Sequence, residues 1–491
     1  MKTNRLIGSH PPPLHPFLLG TFFVLTCSRE CIGYLRWWEL PVWLGVVLLL
    51  VAGLWTVFRL SVRHRYLAGI LTTEVVLLLG FYSTLHAQLA VLFDETALRN
   101  AMHDRYVLPL VLGAVSGVLW WLRRSPRRLL RLKLYLNVAS FMLVVATALQ
   151  CAFLAAVPRA RSLPPLPPPD PSARPVVQRP AAPPDVYYIL LDAYTSGESL
   201  RKHWGYDNAP FLEDLARDGF QVVTNARGNY ANTLLCQSSA LNLNYLSVLP
   251  HGPWSIASQL RFGRKLERSE VVDQFRNAGY EVVNLSLFDL PGAPRAYTYL
   301  HWPVRNFGQV LYVNSLVGHF RGWWELPPLA QINRDILTRL DTLATQPRPK
   351  PLFTYAHVMM PHPPYLYDRE GRFLPKGSLK PDKAAYLDQL IYLNHLMTNV
   401  VARLLTNSKR EPIIILQGDH GFRQIAGEGG LEESGSILNA YHLPGAAPDW
   451  VFPGISPINS FRLIFNHYFG THYPYLPDRQ FLASPGHETD L

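Results

Sequence analysis

The sequence predicts an N-terminal bundle of about five transmembrane helices followed by an outer α/β domain with a largely parallel central sheet. Three observations lead there. Hydrophobic residues make up 48% of the 491-residue chain and charged residues only 16%. Four stretches in the first third approach the roughly 20 apolar residues that cross a bilayer as a helix. The later sequence instead carries short, continuous apolar runs that stop abruptly in polar clusters.

The four long stretches are Pro41 to Leu60, Tyr66 to Leu85, Tyr106 to Leu122 and Leu134 to Val157, with a shorter fifth from Leu14 to Cys27. Arg59, Arg63 and Arg65 lie in one connector, and Arg123, Arg124, Arg127, Arg128, Arg131 and Lys133 in another, with no acid in either. The other two connectors mix Arg29, Arg36, Arg99 and Arg105 with Glu30, Glu39, Asp94, Glu95 and Asp104. Basic loops stay on the cytoplasmic side, so the chain is expected to leave the last helix near Val157 on the outer side of the membrane. If residues 14–27 span, Lys2 and Arg5 are cytoplasmic too. The first apolar stretch runs into Ser28-Arg29-Glu30 without a small-residue cleavage pattern, which argues against a removable signal peptide. Glu74 falls mid-helix, where a carboxylate either has a function or faces a neighbouring helix.

A net charge of +11 is common in nucleic-acid binders, but residues 1–157 hold 15 basic and 6 acidic residues and the remainder 31 and 29. The surplus therefore belongs to the membrane connectors, and no nucleic-acid partner is expected. Four cysteines, Cys27, Cys31, Cys151 and Cys236, exclude a disulfide scaffold. Residues 158–184, with Leu163-Pro-Pro-Leu-Pro-Pro-Pro-Asp-Pro, form a Pro-rich spacer.

Residues 185–491 suffice for one large α/β core. Val186 to Leu191, Tyr280 to Ser286, Leu352 to His357 and Pro412 to Gly418 are continuous apolar runs, the mark of strands buried on both faces. Helical periodicity over Pro210 to Gly219 and Tyr386 to Leu405 supplies crossovers. Ligands bind such sheets at the carboxyl ends of the strands. Three strands bring Asp192, His357 with His362 just behind, and Asp419-His420 to that edge. Carboxylate plus imidazole without thiolate suits a hard or borderline divalent ion such as Zn²⁺ or Mn²⁺. Taken singly, an Asp closing a strand is as readily a helix cap.

Thr233, in Gly228-Asn-Tyr-Ala-Asn-Thr233-Leu-Leu-Cys236, falls where loop turns into helix. Free amides and the helix dipole favour an anion there, so a metal-bound hydroxyl could act as nucleophile. A plain N-cap threonine is the simpler reading, and Cys236 and Ser238, further into the helix, compete for the role. Pro453 to Arg462 and Leu476 to Arg479 are expected to be structural loop and helix-start elements. Trp302, Trp323 and Trp324 either pack in the core or border an acyl chain.

A strand-end acid in Leu-Leu-Asp192-Ala-Tyr, a helix-start Thr233, Met-Pro-His362-Pro-Pro-Tyr and a late Gly-Asp419-His420-Gly occur in that order. The set resembles the alkaline phosphatase and sulfatase superfamily, and most of all its membrane-anchored branch of lipoteichoic acid synthases and phosphoethanolamine transferases. The resemblance implies a sulfatase-like enzyme with Thr233 as nucleophile and Asp192, Thr233, Asp419 and His420 around one metal. His357 and His362 would bind substrate, His362 at the donated group or leaving oxygen. It implies transfer of a phosphoethanolamine- or phosphoglycerol-type group from a phospholipid donor to an envelope glycan or lipid acceptor. Phosphate or sulfate ester hydrolysis is the same-site alternative, and a non-catalytic envelope scaffold the alternative from another class. The sequence departs from the pattern in three places. Cys236-Gln-Ser-Ser-Ala240 lacks the Pro and Arg of the formylglycine motif Cys-x-Pro-Ser-Arg. Met359 and Met360 stand where two-metal phosphatases place acid ligands. Asp192 replaces the Glu common in the transferases.

Overall fold

The structure, a computed structural model of the chain, describes residues 12–62, 64–93, 103–123, 125–156, 175, 177–247, 254–300, 302–321, 326–378, 382–425 and 430–481. The Pro-rich segment, apart from 175 and 177–184, lies outside the described residues, as do Trp323 and Trp324. The chain forms two compact units.

The first unit is helical: α1 His15–Arg29, α2 Glu39–Val62, α3 Arg65–Phe93, α4 Asp104–Arg123 and α5 Pro126–Ala156. Among the described residues, Glu39–Val62, Arg65–Phe93 and Arg127–Ala156 are long and apolar enough to cross a membrane. At 15 residues, α1 is only about 22 Å long, short of a ~30 Å hydrocarbon core. Leucines and valines of α2 and α5 point outward unpaired with protein, among them Leu49, Leu60, Val138 and Leu149. That pattern is unstable in water and natural in lipid. Glu74 faces a cavity of about 520 Å³ lined by α3 and by Val111, Leu112 and Val115 of α4.

Residues Ser255–Leu260 and Leu300–Arg321, distant in sequence, also belong to this helical unit. Leu260, Val304, Phe307, Val310 and Leu311 share one apolar cluster with Val24, Cys27 and Cys31. A Cβ on Gly308 would stand 2.1 Å from the Trp43 ring, so only glycine permits that approach. Glu39 Oε2 accepts the Phe307 N–H at 3.0 Å, satisfying a free amide at the start of helix Phe307–Val313. Half-buried Trp302 lies on this segment.

The second unit is a mixed α/β domain. Its strands are β1 Val186–Leu191, β2 Phe220–Val222, β3 Glu281–Leu285, β4 Leu352–Val358, β5 Tyr365–Tyr367, β6 Phe373–Ser378, β7 Ile413–Gly418 and β8 Asn439–His442. Six form one sheet in the order β2-β8-β7-β1-β4-β3, and β5 and β6 pair separately. The strands β7, β1, β4 and β3 run parallel, while β8 and β2 close one edge antiparallel. The four parallel strands are those marked by continuous apolar runs, and β1, β4 and β7 are buried along their whole length. The register pairs Leu191 with both Val358 and Gly418, so β1, β4 and β7 end level and their next residues emerge at one edge. Helices Ala209–Arg217 and Lys383–Asn407 fall on the two periodic stretches.

Candidate active site

Asp192 directly follows β1, and Asp419 and His420 directly follow β7, with all three side chains buried. Each carboxylate is half satisfied. Asp419 Oδ1 accepts the Ala193 and His420 backbone N–H groups at 3.0 and 2.9 Å. Asp192 Oδ2 accepts from His357 Nε2 at 3.1 Å. The other oxygens, Asp192 Oδ1 and Asp419 Oδ2, have no hydrogen-bond partner among the described residues. They stand 3.7 and 3.6 Å from His420 Nε2. His420 Nδ1 lies 2.8 Å from the Gly421 carbonyl, which fixes the proton there and leaves the Nε2 lone pair facing the two oxygens. Two buried anionic oxygens beside an imidazole lone pair, all within 4.8 Å of one another, are costly without a cation and well suited to a divalent ion.

Thr233 begins helix Thr233–Ala240, but it is not the cap. Asn232 takes that place, its side chain accepting from Leu234 N at 3.1 Å. The threonine hydroxyl is thereby left 3.5 Å from His420 Nε2. The preceding loop is anchored at both ends of the Asn229 amide: Nδ2 donates to Ser456 Oγ and the Arg479 carbonyl, and Oδ1 accepts from Ile458 N. Pro453 to Arg462 and Leu476 to Arg479 thus have a structural part, supporting this loop and starting helix Pro457–Tyr468. A Cβ on Gly228 would stand 2.5 Å from the Asp419 carbonyl, so glycine is needed where the loop crosses the end of β7.

Cys236, one turn on, points its thiol at the Tyr230 and Asp419 carbonyls, 2.9 and 3.1 Å away. Burial, reinforced by the nearby Asp419 carboxylate, pushes the thiol well above its usual range. A protonated, doubly engaged thiol is a poor nucleophile. Ser238 donates to the Phe262 carbonyl and belongs to the packing.

The two histidines occupy different layers. His357 has no exposed side-chain surface; it lies behind Asp192 and stacks on Phe288, with ring centroids 5.3 Å apart. Its Nε2 meets the Asp192 carboxylate from behind. His362 stands at the rim, half-buried, its Nδ1 2.6 Å from the Pro363 carbonyl and its Nε2 accepting from Arg423 Nη2 at 3.1 Å. Burial lowers the His362 imidazole below its usual range, and the Arg423 cation adds to this against the pull of Asp192. Burial opposes ionisation of Asp192, yet the neighbouring histidines His362 and His357, the latter through its hydrogen bond, hold its carboxyl well below the usual range. Arg423, exposed three residues beyond His420, is a cation that the strand-end motifs did not indicate. Its place four residues after Asp419, outside any apolar run, gave no signal in the sequence.

Strand ends that gather two carboxylates and an imidazole able to hold a divalent ion, beside a helix-start hydroxyl, suit an enzyme acting on phosphate or sulfate esters. The sulfatase family profile matches residues 184–444, over half of the chain. The chain belongs to the sulfatase family, with hydrolase or transferase chemistry on such esters. No curated protein matches it significantly. Among solved structures it is similar to the C-terminal periplasmic domain of Escherichia coli EptC in complex with Zn, at 13% identity and TM-score 0.40, covering 67% of this chain and 92% of that one. It is also similar to the integral membrane lipooligosaccharide phosphoethanolamine transferase A of Neisseria meningitidis, at 15% identity and TM-score 0.36, covering 79% and 81%. A Bacteroides thetaiotaomicron structure from glycosaminoglycan metabolism matches at 15% and 0.34, covering 56% and 70%.

Proposed function

We propose that the protein is a membrane-anchored transferase that moves a phosphoryl-alcohol group, of phosphoethanolamine or phosphoglycerol type, from a lipid donor to an envelope acceptor through Thr233. On this reading residues 1–157 are a five-helix anchor of a bacterial inner membrane, 158–184 a spacer and 185–491 a catalytic domain on the periplasmic side. The observation that carries it is the Thr233 hydroxyl, released from capping by Asn232 and held 3.5 Å from His420 Nε2 beside two unpartnered carboxylate oxygens. Apolar helices in the same chain favour lipid substrates, since a hydrolase of soluble esters gains nothing from them.

Asp192, Asp419, His420 and Thr233 Oγ would hold one divalent ion, which when bound supplies Lewis acidity to the threonine oxygen and offsets charge on the phosphoryl group. Thr233 Oγ forms a bond to phosphorus as the bond to the donor's lipid oxygen breaks, and the hydroxyl proton ends on that leaving oxygen. In the second half an acceptor hydroxyl attacks the phospho-threonine, the bond to Oγ breaks, and the acceptor proton returns to Thr233. His362 and Arg423 sit where they can contact the donated group and stabilise its charge. His357 positions Asp192. Comparison of envelope lipids from cells with wild-type protein, Thr233→Ala and no protein tests the reading. Equal lipid profiles in wild-type and Thr233→Ala cells, against an altered profile in the deletion, would refute a threonine transferase.

A further inference from the structure

A second constellation of metal-binding type lies within the helical unit. His86 sits two turns from the end of α3, Asp104 opens α4, and His319 closes the short helix Leu316–His319. Their convergence is not local, since Asp104 and His319 are 215 residues apart. His319 Nε2 is 2.8 Å and His86 Nε2 3.4 Å from the same oxygen, Asp104 Oδ1, and the two imidazole centroids are 4.9 Å apart. The three ligand atoms all lie within 4.8 Å of one another.

We propose that His86, Asp104 and His319 form a second divalent transition-metal site, of Zn²⁺ type, separate from the Asp192, Asp419 and His420 cluster. Two imidazoles and one carboxylate match the preference of that ion, and ligands at about 2.0–2.2 Å in a tetrahedron stand roughly 3.3–3.6 Å from one another. The His86–Asp104 distance of 3.4 Å is at that spacing, and the His319–Asp104 contact at 2.8 Å would open by about half an ångström to admit the ion. Here Tyr82 O–H also donates to Asp104 Oδ1, at 2.8 Å, so one oxygen faces three polar groups. With an ion between the imidazoles and Oδ1, that crowding becomes ligation with Tyr82 as the outer partner that orients the carboxylate. The side chains keep 18%, 35% and 16% of their surface exposed, which leaves a fourth position open to water or an anionic oxygen. The ion would clip the 300–321 segment to the ends of α3 and α4, where apolar packing gives way to polar groups.

The test is metal content of the full chain in detergent, stripped with chelator, reloaded with Zn²⁺ alone and measured by mass spectrometry. Asp419→Ala serves as background, so that the strand-end cluster contributes no ion. Asp419→Ala should retain one equivalent, and adding His86→Asn with His319→Gln should remove it, while Co²⁺ loading should give a visible ligand-field spectrum only before that addition. The difference between the two variants reads this site whether or not the strand-end cluster binds metal. Equal zinc in both variants, or no zinc in a cooperatively melting Asp419→Ala protein, overturns the proposal and leaves a hydrogen-bonded polar cluster. If the doubly substituted protein melts without cooperativity, Tyr82→Phe, which keeps all three ligands, is compared instead. It should hold zinc several-fold more weakly than the background, and unchanged affinity counts against the site.

Discussion

His357 Nε2 and Asp192 Oδ2 form a buried pair 3.1 Å apart, joining β4 to the end of β1 directly beneath the candidate ion site. Their strands are in register, Leu190 beside His357, so the pairing follows from the parallel ladder itself. The other oxygen of Asp192 is thereby aimed at His420.

The pair sets the first prediction. In His357→Ala the carboxylate loses its orienting donor, and metal affinity should fall by about 10–100-fold, as for other outer-layer partners of metal ligands. Competition with a calibrated chelator measures this. Unchanged affinity would show that Asp192 is held by something else.

Removing either half of the Asp419-His420 motif has a larger consequence. Asp419→Ala and His420→Ala should each abolish activity, lower metal content by one ion and reduce thermal stability, because the remaining buried charges lose their cation. Full activity after exhaustive metal removal would contradict the mechanism.

Replacement of the hydroxyl separates Thr233 from Cys236. Thr233→Ala should keep the fold and lose turnover by about 10³-fold or more, since no substitute oxygen reaches the site. Cys236→Ala should keep most activity. Mass spectrometry of protein trapped with a lipid donor should place the phosphoryl-alcohol adduct on Thr233, and an adduct or formylglycine at Cys236 would reassign the nucleophile.

Acid sensitivity has a source away from the catalytic cluster. Burial opposes ionisation of Glu433, but the Lys202 ammonium, hydrogen-bonded through Nζ at 2.6 Å, and the His203 imidazole, with Nε2 3.1 Å away, bring its carboxyl down to about 2. A depressed folded pKa adds stability that is fully present above the unfolded value, near 4.5, and lost as pH falls through about 2. The size is about 1–3 kcal/mol, reduced by the exposure of Lys202. Chemical denaturation between pH 6 and about pH 2 should show a steeper loss for wild-type protein than for Glu433→Gln. Parallel curves would rule the contribution out.

Orientation is open to a direct test. Reporter fusions ending after Arg65 and Lys133 should read cytoplasmic, and those after Asn100 and Pro184 should read periplasmic. A periplasmic signal after Lys133 would invert the orientation and remove the proposed lipid donors of the outer leaflet.

The sequence by itself determined the helical, apolar first third and the four central strands. It also placed Asp192, Asp419 and His420 at strand ends, because burial on both faces demands an unbroken apolar run and the first polar residue after it must emerge at the sheet edge. Strands β2 and β8 left no such mark: they are three and four residues long, and Asn439 and His442 interrupt any run. Only the tertiary structure decided the division of labour between equivalent side chains. Asn232 and Thr233 are both cap-forming types, and the loop held by Asn229 settles which one caps and which one faces His420. His357 and His362 are five residues apart, yet strand register buries one behind Asp192 while the following loop, bonded through His362 N–H to the Asp192 carbonyl, brings the other to the rim beside Arg423. The meeting of His86, Asp104 and His319 was likewise invisible along the chain, because contacts across more than 200 residues arise from packing and carry no local pattern.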